Sequence, residues 1–248
     1  MTMRVLVWTL SAVVVGCGTF RPSQRPDASA ERLGPRSALL NPPAFGDEAQ
    51  RLRVTIQGAA DSVERPMSEK TWSLKSVAGA PNRVLVTSSW PAPYSSIDSL
   101  VVERNGLVPV REWLSYRGVT RDYQFLGNRV RGTVQHVDSA ARTIDLTFPE
   151  DVFAFSEVEL LVRSLPLRPA FTTVVPLFSE NDEAVEHDTM TVVARDRSPE
   201  REPGWIVRFA DPAIVTRYVI GERSRAILAA ETTQRRSGAR LRYVDAPK

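Results

Sequence analysis

Few side chains in this 248-residue chain offer nucleophilic, metal-binding or proton-transfer chemistry near neutral pH: one cysteine, Cys17, and two histidines, His136 and His187. Neither histidine sits in an HxH or HExxH arrangement, the spacings that place two imidazoles on one face of a strand or helix. His136 is followed by Asp138, which shares its face if the segment is a strand. His187 stands between Glu186 and Asp188 in DEAVEHDTM. Glu180, Asp182, Glu183, Glu186 and Asp188 could offer oxygen ligands to a hard cation, but their spacing matches no known loop. A solvated acidic loop is the expectation there. Glu157 and Glu159 lie two apart in a helical pattern and therefore point to different faces. Nucleophile elbow, phosphate loop and dinucleotide fingerprint are missing from the sequence. No metal or cofactor is expected, and a non-enzymatic protein is.

Cys17 has another use. A single charge, Arg4, precedes an apolar run from Val5 to Val15, about 11 residues against the ~20 that span a bilayer. The run ends in Val14-Val15-Gly16-Cys17, which resembles a bacterial lipobox. That resemblance implies cleavage after the small Gly16 and a diacylglyceryl group on the Cys17 thiol. The acylated cysteine would then tie the chain to a membrane, since two or three acyl chains anchor far better than one. Residues 1–16 are thus expected to be a lipoprotein signal peptide. Gly18, where an aspartate would favour the inner membrane, points to the outer membrane facing the periplasm of a bacterial envelope. A lone cysteine also rules out an internal disulfide framework.

Residues 17–46 hold Pro22, Pro26, Pro35, Pro42 and Pro43 among small and charged residues, and read as a flexible tether behind the lipidated cysteine. Leu39 and Leu40 are its residues able to dock. Residues 47–248, about 200 in number, suffice for one β-rich domain. The net charge of +3 comes from near-balanced acids and arginines, 29 Arg against 3 Lys. The densest basic cluster is Arg235, Arg236, Arg240 and Arg242, a solvated face or a contact for anionic headgroups. No nucleic-acid module is present, and no nucleic-acid partner is expected.

The domain is written mostly in period two. RLRVTIQG sets Leu52, Val54 and Ile56 against Arg51, Arg53 and Thr55. TIDLTF and GWIVRF alternate likewise, and some ten further segments up to ARLRYVD read as strands. Turns such as Asn105-Gly106, Gly127-Asn128 and Ser237-Gly238 supply residues that tolerate positive φ, so successive strands are antiparallel neighbours. One segment breaks the pattern. Residues 149–169 carry Val152, Phe155, Val158, Val162 and Leu165 at spacings of three and four, with Glu150 and Asp151 in the first turn and Pro166 as the stop. Phe153, Leu160 and Leu161 widen the apolar arc. The expected fold is mainly β. It is a strongly curved antiparallel meander of ten or more strands, a half-barrel or incompletely closed barrel, with one apolar helix packed on it. A two-sheet β-sandwich is the alternative.

In SSWPAPYSS, Trp90 and Tyr94 either fold back on the edge of the core or form an exposed tip for a membrane or partner. The lipobox, the phrase DSLVVERNGLVPVREWLSYRG, the apolar segment VFAFSEVELLVRSLPL and the closing GWIVRF and IVTRYVIGE together resemble the LolA/LolB-like envelope proteins with a curved, unclosed sheet. The resemblance implies a concave apolar face that shelters an acyl chain, lipid or lipoprotein ligand under the helix. Phe153, Phe155, Leu160 and Leu161 would then line the ligand site. A structural or assembly lipoprotein that binds other envelope proteins through its sheet edges is the alternative, and a hydrolase the third.

Overall fold

The computed structural model describes residues 30–245, apart from 62, 93 and 200. Val14, Val15, Gly16 and Cys17 lie outside the described residues. Among the described residues the chain forms β1 (Glu31–Arg32), β2 (Glu48–Gln57), β3 (Arg65–Val77), β4 (Ala80–Trp90), β5 (Ser96–Glu103), β6 (Val108–Tyr116), β7 (Val119–Phe125) and β8 (Arg129–His136). Then come β9 (Arg142–Thr147), β10 (Phe153–Ala154), a 3-10 turn (Phe155–Glu157) running into α1 (Val158–Ser164), β11 (Thr172–Ser179) and β12 (Ala184–Asp196). β13 (Gly204–Ala210), β14 (Ile214–Gly221), β15 (Ile227–Gln234) and β16 (Arg240–Asp245) complete it.

All strands join one curved sheet that is not closed, with the helix packed on it. Short turns make two antiparallel meanders, β2 to β9 and β11 to β16. They are joined where β16 pairs antiparallel with β2, from Arg240 opposite Gln57 to Asp245 opposite Leu52. The short β1 and β10 both run parallel to β11, at opposite ends of its outer edge. A single sheet replaces the sandwich alternative. Register breaks at Val54/Thr55, Ser76/Val77, Val101/Val102, Val192/Ala194 and Val219/Ile220 mark bulges. Each bulge bends its strand and increases the local twist, which is how so long a sheet curls around its core.

The helical segment is shorter than its pattern. Helix covers 155–164 rather than 149–169. Phe153 and Ala154 are drawn instead into the ladder with Leu177 and Phe178. At the other end Leu165 is extended, φ −66° and ψ 152°, because the ring of Pro166 disfavours the helical region for the residue before it. Val158, Leu160, Leu161, Val162, Arg163 and Ser164 are all buried. Only Glu159, facing a cavity, is left part-exposed.

Arg163 is a buried charge inside that helix, and its Nε and Nη2 are both partnered. Its Nε donates to the Arg225 carbonyl at 2.6 Å, its Nη2 meets both Glu48 oxygens at 3.0 Å, and its guanidinium lies over Phe45 and Trp72. Arg225 returns the favour, donating to the carbonyls of Arg163 and Leu165 that the helix end leaves free. Arg163→Met keeps much of the packing but strands Glu48 and the Arg225 carbonyl. It is expected to cost about 2 kcal/mol in urea unfolding, the lower end for a broken buried pair because Glu48 can rehydrate. A loss within 0.5 kcal/mol, on the order of a surface substitution, would show that the pair does not hold the helix.

Residues 30–46, the described part of the stretch read as a tether, are a strap on the domain. β1 pairs with β11, and Leu33, Leu40 and Phe45 are buried in the core. The strap crosses the β5–β6 turn at Gly106, whose carbonyl accepts from the Arg36 amide at 2.8 Å. Gly106 has φ +80°, and a Cβ there would meet the Arg36 Cα at 2.6 Å. No other residue type fits both demands.

Candidate functional site

Beneath the first turn of the helical segment the concave face leaves a cavity of about 360 Å³. Strand register builds its two walls. On one side Gln50, Trp72, Ser88 and Asp98 stand directly opposite one another on β2, β3, β4 and β5, forming a single row. On the other, Phe209, Thr216, Thr232 and Leu241 form the equivalent row across β13 to β16. Phe155, Ser156, Val158 and Glu159 close the top. The walls are apolar at Phe155, Phe209, Ile214 and Leu241, uncharged polar groups stand on both sides, and the charged ones are Lys70 and Asp98 on β3 and β5 and Glu159 on the helix.

The strongest polar feature is an ion pair across the cavity. Lys70 Nζ on β3 lies 2.6 Å from Glu159 Oε1 on α1, with side chains only 13% and 19% exposed. Burial pulls the Lys70 pKa down, but the adjacent Glu159 carboxylate more than offsets it, and the net shift is upward. Asp98, beside it, is pushed up to about 7, first by burial and then by the negative Glu180. Its Oδ1 is enclosed without a hydrogen-bond partner. Glu112, on β6, is buried and bonds Ser156 through one oxygen, leaving the other unpartnered. Burial raises its pKa well above the ordinary carboxylate value. Glu157 is wholly buried with neither oxygen bonded, and burial raises it likewise. Trp72 lines the cavity with its indole Nε1 enclosed and unpartnered. Tyr218 and Tyr243 line it as well, and burial lifts both phenols above their usual range.

Of the four residues expected to line a ligand site, Phe155 alone borders this cavity. Phe153, Leu160 and Leu161 are fully buried in the core. Trp90 and Tyr94 are half-buried. Their rings meet edge to face at 5.8 Å, and Trp90 meets Tyr243 in the same way at 6.1 Å. The loop is therefore folded back at the rim of the cavity. His136 is exposed, and His187 bonds Glu150 at 2.7 Å away from the cavity lining. The acidic stretch around Glu180 to Asp188 brings no three ligating side chains together, and no such cluster occurs among the described residues.

Lys70, Trp72, Asp98 and Glu112 escape a motif search because they come from three different strands of one sheet. A signal for two of them does exist. Lys70 is in phase with the inward Trp72 and Leu74, and Asp98 with Leu100 and Val102. A charged residue on the apolar phase of a strand is buried, and a buried charge needs a partner. The chain matches no known protein family, and neither a curated protein nor a solved structure shows significant similarity to it.

Proposed function

We propose that this chain is a lipid-anchored protein of the bacterial envelope that binds a hydrophobic ligand, without catalysis, in the cavity under its helix. The observation that carries the reading is the cavity itself. Its volume is that of a small-molecule site, and its lining mixes apolar side chains with polar groups, the charged ones being Lys70, Asp98 and Glu159. The ligand is sheltered between β2–β5 and β13–β16 rather than along the whole concave face, because the helix and its core fill the remainder. Anchoring through Cys17 rests on the lipobox resemblance, and the likeness to LolA/LolB-like carriers rests on architecture, which alone does not name a cargo.

The test is native mass spectrometry of the full chain, extracted gently from a bacterial host. An adduct of lipid or other apolar mass is expected, and Ile214→Trp, which fills the cavity from a half-buried wall position, should remove it from a folded protein. A clean apo mass that persists after incubation with envelope lipids overturns the reading. Acid–base catalysis is the second reading, favoured by Asp98 near neutrality beside the Lys70–Glu159 pair. Conversion of the adduct to product mass during incubation at neutral pH would move the weight there.

A further inference from the structure

We infer that the cavity selects an amphiphile with an ammonium head and discriminates against one with a carboxylate. The inference rests on the binding reading above and names the ligand's chemistry. It starts from which polar groups the fold leaves without partners. The cation in the cavity, Lys70, is already neutralised by Glu159 at 2.6 Å. The acid one row away is not: Asp98 Oδ1 is enclosed and has no donor. Glu112, 1% exposed, stands behind it on the neighbouring strand with Oε2 also unpartnered. A carboxylate guest would have to sit beside Asp98 and the ion-paired Glu159, whereas an ammonium guest supplies a donor for the Asp98 Oδ1, which the nearby Ser156 hydroxyl, bonded to Glu112, does not reach.

A second orphan group points the same way from the ligand's side. Trp72 is 3% exposed, lines the cavity, and its Nε1–H reaches no acceptor. Enclosed donors and acceptors are almost always paired. Trp72 and Asp98 belong to the same row, two strands or roughly 10 Å of backbone apart, with Ser88 between them. A guest whose ammonium meets Asp98 and whose neighbouring hydroxyl or carbonyl oxygen accepts from Trp72 satisfies both. Its apolar body then lies on Phe155, Phe209 and Leu241.

Asp98 is faced by Lys70 from β3, Glu159 from the helix, Glu112 from β6 and Glu180 from the β11–β12 turn. Since Asp98 ionises at about 7, binding of an amine that stays protonated should tighten as pH rises through neutrality.

Calorimetric titration of the full chain with octylamine, octanoate and octanol tests this without any variant. Octylamine should bind at least about tenfold more tightly than octanoate, the scale of one charge-assisted hydrogen bond. Asp98→Asn, checked for an unchanged near-UV spectrum, should weaken octylamine by about tenfold and leave octanol within about twofold. Octanoate or octanol binding as tightly as octylamine overturns the ammonium inference while leaving the binding reading standing. If none of the three binds, both fall.

Discussion

Replacing Lys70 with methionine is expected to destabilise the folded chain by about 3 kcal/mol at neutral pH, whereas replacing both Lys70 and Glu159 with methionine should recover most of that loss. The reason lies in what each variant leaves behind. Lys70→Met keeps a side chain of similar length but strands the Glu159 carboxylate against Phe155, Tyr218 and Tyr243 in the cavity wall. An uncompensated buried charge costs several kcal/mol, and here the cost falls at the low end because a 19% exposed Glu159 keeps some contact with water. The double variant removes both charges together with their desolvation cost. The wild-type pair should persist to high pH. The folded-state pKa of Lys70 is raised, so its contribution is complete below the unfolded value of 10.5 and is lost only as pH climbs through the folded value. Urea midpoints for the four members of the cycle give the coupling. Strictly additive losses would show that the two side chains do not act as a pair.

Stability should fall as pH rises from about 4 to about 8, against the common expectation that a protein is at its best near neutrality. Asp188, 2% exposed, is pushed up to about 8, first by burial and then by the neighbouring Asp211 and Glu186. Asp98 follows at about 7, and Glu112 and Glu157 are raised well above their usual value. In the unfolded chain these aspartates ionise near 3.8 and these glutamates near 4.5. Between the two sets of values the folded state binds more protons than the unfolded one. The stability these groups contribute is therefore complete below the unfolded pKa and lost as pH rises through the folded pKa. Asp145 acts in the opposite sense. Arg129 and Arg131 hold it at about 2, so its contribution is present above 3.8 and fades only in stronger acid. A thermal midpoint higher near pH 5 than near pH 8 is expected. Asp188→Asn should raise the midpoint at pH 8, by an amount that vanishes toward pH 4, because the amide mimics the neutral acid. A midpoint that rises from pH 5 to pH 8, or an Asp188→Asn variant no more stable at pH 8, would contradict the buried, neutral carboxyl.

Much of the fold is legible in local pattern. Leu52 and Val54 are buried as their alternation requires, as are Leu100 and Val102, and Trp205, Val207 and Phe209. Where the pattern misleads, a particular neighbour is responsible. Ile56, in phase with Leu52 and Val54, is only half-buried because a bulge at Val54/Thr55 shifts the face. The helical spacing of 149–169 overruns its helix because the β11 edge captures Phe153 and Ala154 and Pro166 extends Leu165. The proline-rich stretch before residue 47 resembles a linker by composition, yet Leu33, Leu40 and Phe45 find places in the core. The candidate site is half legible: Phe155 is marked by its apolar phase, and Lys70 and Asp98 stand out as charges on the apolar phase of their strands, but nothing in the local pattern says what they face.

By itself the sequence determines the period-two strands, the tight turns between them, the short apolar helical segment and the absence of any familiar catalytic motif. These follow from alternation, turn chemistry and residue type, all of which act within a few residues. Tertiary structure decides the rest. It joins β16 to β2 across nearly the whole chain, curls one sheet around the helix, and sets Lys70 against Glu159, 89 residues away. It also places Trp72, Ser88 and Asp98 in one row around a cavity. The physical reason is that a strand's pattern fixes which side chains turn inward, but only the curvature and register of the assembled sheet fix what they meet there.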